Sequence, residues 1–291
     1  MRIVFDNRIA RFVVLFVLTI CAYAGAQFVQ VWAVPHVPAE SRENAAIAAE
    51  IVCATLLLLI YWASVRLLEH RRIGELAPQR APANLLAGAA IGLGLFSAVI
   101  AALSAIGIAH VGHFNSGQSL LGATDMAILS GIGEELIFRG VVYRIFEEMF
   151  GSLVALIVSA AFFGATHLAN PGATLTSGAA IALEAGVLLG VSYMMVRNLW
   201  LPIGLHFGWN FAESAIFGSV VSGNAFKGLF ATTMTGPELL TGGKFGPEAS
   251  VVAVAICAAA AAVILVVAVR RGEWKTLHLA INDKTRPLAP A

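Results

Sequence analysis

Long apolar stretches, each about the length needed to cross a lipid bilayer, constrain this chain more than any other feature. A spanning helix needs ~20 mainly apolar residues. Eight such segments run approximately over 9–33, 44–67, 84–109, 120–149, 151–169, 177–197, 200–221 and 249–270. Hydrocarbon offers no water to satisfy backbone N–H and C=O groups, so segments of this kind fold as helices. Composition agrees: 59% of residues are apolar and 12% charged, about half the charge of an ordinary soluble domain. The expected fold is all-α, a polytopic transmembrane bundle of about eight spanning helices. Residues 1–271 are expected to form one integral membrane domain, its motif-bearing core at about 120–215, followed by a polar cytoplasmic tail over 272–291.

The punctuation fits this reading. Asn170-Pro171-Gly172 stops the fifth segment, and the short Asn198-Leu199 link separates the sixth from the seventh. The connection 222–248 holds six glycines and two prolines and reads as a loop. Lys and Arg set the orientation. With the N-terminus in the cytoplasm, Arg2, Arg8, Arg11, Arg66, Arg71, Arg72, Arg80, Arg197, Arg270, Arg271, Lys275, Lys284 and Arg286 fall inside; Arg42, Lys227 and Lys244 fall outside. An N-in, C-in topology is expected. The N-terminal run imitates a secretory signal up to Ala22-Tyr-Ala-Gly-Ala26, but its apolar stretch continues through Trp32, too long for a cleaved leader. Gly88-x-x-x-Gly92 and Gly186-x-x-x-Gly190 allow close helix packing.

The net charge of +1 gives no reason to expect a nucleic-acid partner. Cys21, Cys53 and Cys257 lie singly in apolar runs, which argues against a disulfide framework or a thiolate metal site.

Against this background the run Ser130-Gly-Ile-Gly-Glu-Glu-Leu-Ile-Phe-Arg-Gly140 stands out. Each charge in lipid costs roughly 2.5–3.5 kcal/mol on insertion scales, so such groups face protein or water and have partners. Glu135 and Arg139 are four apart and share a helix face, as an ion pair requires. Glu134 points about 100° away and is free for another task, such as general-base chemistry in a low-dielectric cavity. Gly131 and Gly133 thin the helix beside it. The competing reading is that the three charges only lock this helix to its neighbours.

The fifth segment supplies Phe163-Gly-Ala-Thr-His167, and the seventh supplies His206-Phe-Gly-Trp-Asn210, whose His and Asn share a face. Each taken alone reads equally as interhelical hydrogen bonding. Together, Glu134, His167, His206 and Asn210 provide a base, its partner and two donors, a set sufficient for hydrolysis of an amide by water. No residue has the pattern of an activated serine or cysteine. Glu213 shares the face of Asn210 and is a second-layer or cavity-lining candidate, whereas Glu184 and Asp125 read as helix-to-helix links.

Glu-Glu-x-x-x-Arg, Phe-x-x-x-His and His-x-x-x-Asn, in that order on separate apolar segments, resemble the CAAX-protease and bacteriocin-processing family of intramembrane peptidases. The resemblance covers roughly 120–215, and all three motifs match without substitution. It implies an intramembrane endopeptidase in which Glu134 is the catalytic carboxylate, His167 works with it on water, Glu135 and Arg139 support it, and His206 and Asn210 form the oxyanion site. It implies a peptide or lipidated-protein substrate among membrane lipids. The expected location is a prokaryotic plasma membrane. The family is often labelled metalloprotease, but this chain lacks His-Glu-x-x-His, and Glu134, His167 and His206 make a sparse zinc set. The expectation is a metal-independent mechanism, with zinc on those three residues as the alternative.

Two other classes fit the same residues: a proton-coupled transporter using the buried carboxylates as a relay, and a non-catalytic scaffold or immunity protein. The hydrolase reading also carries a difficulty of depth. At ~1.5 Å per residue, His167 lies ~24 Å from the cytoplasmic start of its helix and His206 ~9 Å from that of its own, ~15 Å apart along straight helices.

Overall fold

A computed structural model describes residues 7–115, 120 and 124–277. The chain is mostly helical. Six helical stretches are long and apolar enough to cross a membrane: Arg8–His36, Ala39–Glu69, Pro78–Ala105, Ser152–Ala169, Leu175–Val196 and Val251–Arg270. Their regular cores are α1 (Arg8–Phe28), α2 (Arg42–Ser64), α3 (Ala81–Ala105), α6 (Ser152–Thr166), the pair α7 (Leu175–Ile181) and α8 (Val187–Val196), and α11 (Val251–Arg270).

The fourth and seventh of the expected segments are helical but do not qualify as apolar spans. The fourth is α4 (Thr124–Glu135), a wide π-helical turn over Leu136–Tyr143, and α5 (Arg144–Phe150). The seventh is α9 (Trp200–Phe211) continued as a π turn over Ala212–Ile216. Both lie largely inside the bundle. Side chains from Leu136 to Tyr143 are all buried, and so are most of those from Leu201 to Asn210. The charges that disqualify the fourth segment from lipid are the ones it carries to the centre.

The ends of two expected segments also differ. The third helix stops at Ala105, and Ala109–Phe114 forms strand β1. The seventh stops at Ile216, ahead of β2 (Val220–Val221) and β3 (Asn224–Ala225). Beyond them, β4 (Phe230–Met234) pairs antiparallel with β1, Ala109 opposite Met234 and Phe114 opposite Phe230. The connection expected to be a plain loop therefore carries strands and a short helix, α10 (Glu238–Thr241), none apolar enough to announce itself. The start of the C-terminal tail is held, because the Ser152 N–H donates to the Lys275 carbonyl at 2.8 Å; residues 278–291 lie outside the described part.

Glycine geometry fixes the position of α9. Gly88 and Gly92 of α3 lie against the Leu201 and Leu205 carbonyls, and Gly204 and Gly208 lie against those of Leu85 and Ala89. A Cβ at any of the four would collide with backbone. Two Gly-x-x-x-Gly faces thus meet reciprocally, the close approach that small residues permit. His206 sits midway between Gly204 and Gly208, about 200° round the helix from each, so it faces away from α3 and inward.

At one end of the bundle, charges tie the helices together. Arg144 pairs with Glu69 at 2.7 Å and Glu148 at 3.0 Å, Arg71 pairs with Glu69 at 2.5 Å and with Glu75, and Arg11 pairs with Glu148. Burial works to raise the Glu75 carboxyl, but the hydrogen bonds and charge of Arg71, with the charge of Arg144, hold it down at about 2.

Replacing Gly92 or Gly204 by Ala is expected to destabilise the protein by about 1–3 kcal/mol, the cost of overpacking against backbone that cannot retreat. A Cβ at Gly94 would meet nothing within 4 Å, so Gly94→Ala should leave the thermal midpoint in detergent unchanged. Equal midpoints for all three variants would show that the α3–α9 contact is not close.

Candidate active site

The motif residues converge. Glu134 lies at the end of α4, His167 opens the 3₁₀ turn after α6, and His206 and Asn210 lie on α9. Glu134 Oε2 stands 4.0 Å from His167 Nε2 and 4.0 Å from His206 Nε2. The ~15 Å offset expected for straight helices at ~1.5 Å per residue is absent: both imidazoles reach one carboxylate. All four residues line one cavity of ≈ 170 Å³.

The imidazoles are oriented from behind. His167 Nδ1 lies 2.8 Å from the Phe163 carbonyl one turn earlier. A carbonyl only accepts, so Nδ1 carries a proton and Nε2 is the nitrogen that faces Glu134. His206 Nδ1 lies 3.0 Å from Glu135 Oε1. Glu135 therefore does more than pair with Arg139, since it also sets the His206 ring.

Glu135 and Arg139 are both fully buried and 2.8 Å apart. Arg139 also donates to the Gly186 carbonyl at 3.0 Å and the Ala185 carbonyl at 3.3 Å, where the π turn Ala182–Gly186 links α7 to α8. Its guanidinium lies 4.7 Å from the centroid of the Phe163 ring, a cation–π distance. Phe163 in turn packs against His167 (4.7 Å between centroids) and His206 (5.9 Å). The first residue of Phe-x-x-x-His is thus the platform under both imidazoles and the arginine.

Sequence reasoning missed several residues of the site. Tyr23, on α1 and outside every motif, donates to Glu134 Oε1 at 3.1 Å, and Gln27 donates to the Tyr23 hydroxyl at 2.9 Å. The signal was in Gly133: a Cβ there would collide with the Tyr23 ring. The bare glycine next to the carboxylate marks where an aromatic from another helix must fit. Ser130, one turn before Glu134, accepts from Asn210 Nδ2 at 3.0 Å. Glu184, read as a helix link, lines the cavity instead, and so does Glu248 from the 3₁₀ turn Pro247–Ala249. Glu213 is fully buried near them and is not part of the cavity wall. The side chain of Asp125 lies outside the described part.

The zinc alternative meets a geometric objection. Zn–N and Zn–O bonds of about 2.0 Å at tetrahedral angles place ligands roughly 3.3 Å apart. Both imidazole–carboxylate separations are 4.0 Å. Among the described residues no group of three or more His, Cys, Asp or Glu is placed to hold a metal ion. Glu134, His167 and His206 as they stand do not fit zinc.

Residues 116–212 match the family model described as type II CAAX prenyl endopeptidase Rce1-like. The matched segment contains all three motifs and agrees with the resemblance they carry. It supports a membrane peptidase of the CAAX-protease class, and the apolar helices make the chain an integral, multi-pass membrane protein. No curated protein and no solved structure matches the chain.

The buried pair is expected to be structural. Arg139→Ala leaves the Glu135 charge buried without its partner, a loss of about 3–5 kcal/mol. Arg139→Ala protein should show a lowered thermal midpoint and a strongly reduced folded yield. A variant that folds as well as wild type would remove the pair from the account of the site.

Proposed function

We propose that this protein is an intramembrane endopeptidase that hydrolyses a peptide bond by attack of water. The observation that supports it most is the environment of Glu134 Oε2. That atom is buried, has no hydrogen-bond partner among the described residues, and stands one water's width from two imidazole nitrogens. With the His167 ring neutral in this scheme, Oε2 and Nε2 are both acceptors, so a water between them would donate one O–H to each. Its two lone pairs then point away, toward the cavity.

In the proposed reaction the water oxygen attacks the peptide carbonyl carbon. Its proton passes to Glu134, assisted by His167, and the C=O π pair moves onto the oxygen. His206, flanked by the Glu135 and Glu134 carboxylates, acts as the imidazolium in this scheme, and its Nε2–H donates to the oxyanion. Asn210, one turn further along α9 and bonded to Ser130, is assigned as the second donor to the same oxyanion. Collapse breaks the C–N bond, and Glu134 returns its proton to the leaving amine. Tyr23 keeps Oε1 occupied, so the proton is taken on Oε2.

We further infer eight crossings, the six apolar spans plus the helical segments 124–150 and 200–216. Both termini then lie on the arginine-rich cytoplasmic side of a prokaryotic plasma membrane. The substrate class is a peptide or lipidated protein presented at the membrane.

Purified protein should cleave reporter peptides, including prenylated CAAX peptides. Glu134→Gln and His167→Ala should each lower kcat/KM by about 10²–10⁴, the range for a positioned acid–base group. Cleavage should persist in excess chelator. Full activity in both variants would remove the site assignment, and chelator inhibition reversed by zinc would overturn the metal-free scheme. Ion-coupled flux in liposomes without any cleavage would favour the carrier.

A further inference from the structure

The cavity contains more carboxyl groups than hydrolysis needs. Besides Glu134 it is lined by Glu184 and Glu248, each almost fully buried. Neither oxygen of Glu213 has a hydrogen-bond partner among the described residues; Glu248 and Trp209 approach it without reaching hydrogen-bond geometry.

Other buried carboxylates are treated differently. Glu75 is paired with Arg71, Glu135 with Arg139, and Glu147 with Arg197. Among the described residues, no ion pair involves Glu184, Glu213 or Glu248, and the cavity wall includes no Lys or Arg. Buried carboxylates without cations are expensive unless something compensates them. They do not converge as ligands of one metal ion. Burial favours the neutral form of such a carboxyl, and a cation with several N–H donors entering beside it favours the charged one.

The wall beside them indicates its shape. Ile181, Glu184, Ala185 and Leu188, grouped around the π turn between α7 and α8, all line the cavity. Together they form an aliphatic strip with a single carboxylate in it. Glu248 is held from the other side by a hydrogen bond from Ser222. An apolar stem ending in a cation fits such a wall, as the side chains of lysine and arginine do.

We propose that Glu184 and Glu248, backed by Glu213, form a specificity subsite for a lysine or arginine side chain of the peptide substrate. This rests on the hydrolase reading, because the subsite shares its cavity with Glu134.

The test uses internally quenched peptides identical except for lysine, norleucine or glutamate at one position, scanned on both sides of the cleaved bond. At one position wild type should prefer lysine over norleucine by about tenfold or more in kcat/KM, a range pocket contacts supply. Glutamate there should be the poorest. Glu184→Gln and Glu248→Gln should each bring the lysine-to-norleucine ratio close to one, in protein whose thermal midpoint confirms folding. A ratio near one at every position in wild type, or an undiminished ratio in whichever variant folds, would overturn the subsite.

Binding separates this from the hydrolase reading. Fluorescence anisotropy of the labelled lysine and norleucine peptides on Glu134→Gln protein needs no turnover. Lysine-selective binding without cleavage of any peptide by wild type would keep the subsite and defeat the hydrolase. Cleavage with no lysine selectivity in either assay would do the reverse.

Discussion

One buried ion pair organises the centre of this molecule. Glu135 and Arg139 sit fully buried one helical turn apart, where neither charge is stable without the other. Each then uses its remaining capacity on a different element. Glu135 sets the ring of His206 on α9. Arg139 reaches the carbonyls at the α7–α8 junction and lies over Phe163 of α6. Three separate parts of the chain are thereby referenced to one turn of helix. The adjacent Glu134, about 100° round the same helix, inherits that reference without being consumed by it.

This division of labour between neighbouring carboxylates follows from helix geometry and burial. Glu135 is fully buried with Oε1 shared between Arg139 and His206, while Glu134 meets a cavity in which Tyr23 occupies one oxygen and the other is left open between two imidazoles. The glycine faces of α3 and α9 press from the opposite side and keep His206 turned inward. Close packing behind and an open polar space in front are what a preorganised hydrolytic site requires.

Much of this was legible in the sequence because it is local. The i, i+4 spacings of Glu135–Arg139 and His206–Asn210 show which residues share a face, and apolar runs of ~20 residues show helices. What could not be read was the relation between elements. Straight-helix arithmetic left His167 and His206 at different depths, yet both meet Glu134. Tyr23 and Glu248 belong to the site through contacts between distant parts of the chain, and only the bare Gly133 hinted at Tyr23. Nor could it be read that the helices carrying Glu134 and His206 lie largely inside the bundle, because buried and lipid-facing helices are both predominantly apolar. The β1–β4 pair was invisible for the opposite reason, since neither strand has a buried face: β1 is exposed after Ala109 and no residue of β4 is fully buried.

The central claim is that Glu134 and His167 act on the same water. A double-mutant cycle in kcat/KM addresses it directly, comparing Glu134→Gln, His167→Ala and the two combined. Groups that act as one unit are grossly non-additive, so the double variant should be no more than severalfold worse than the poorer single one. Losses that multiply would mean that the carboxylate and the imidazole act on different steps or different atoms, and would contradict a shared water between them.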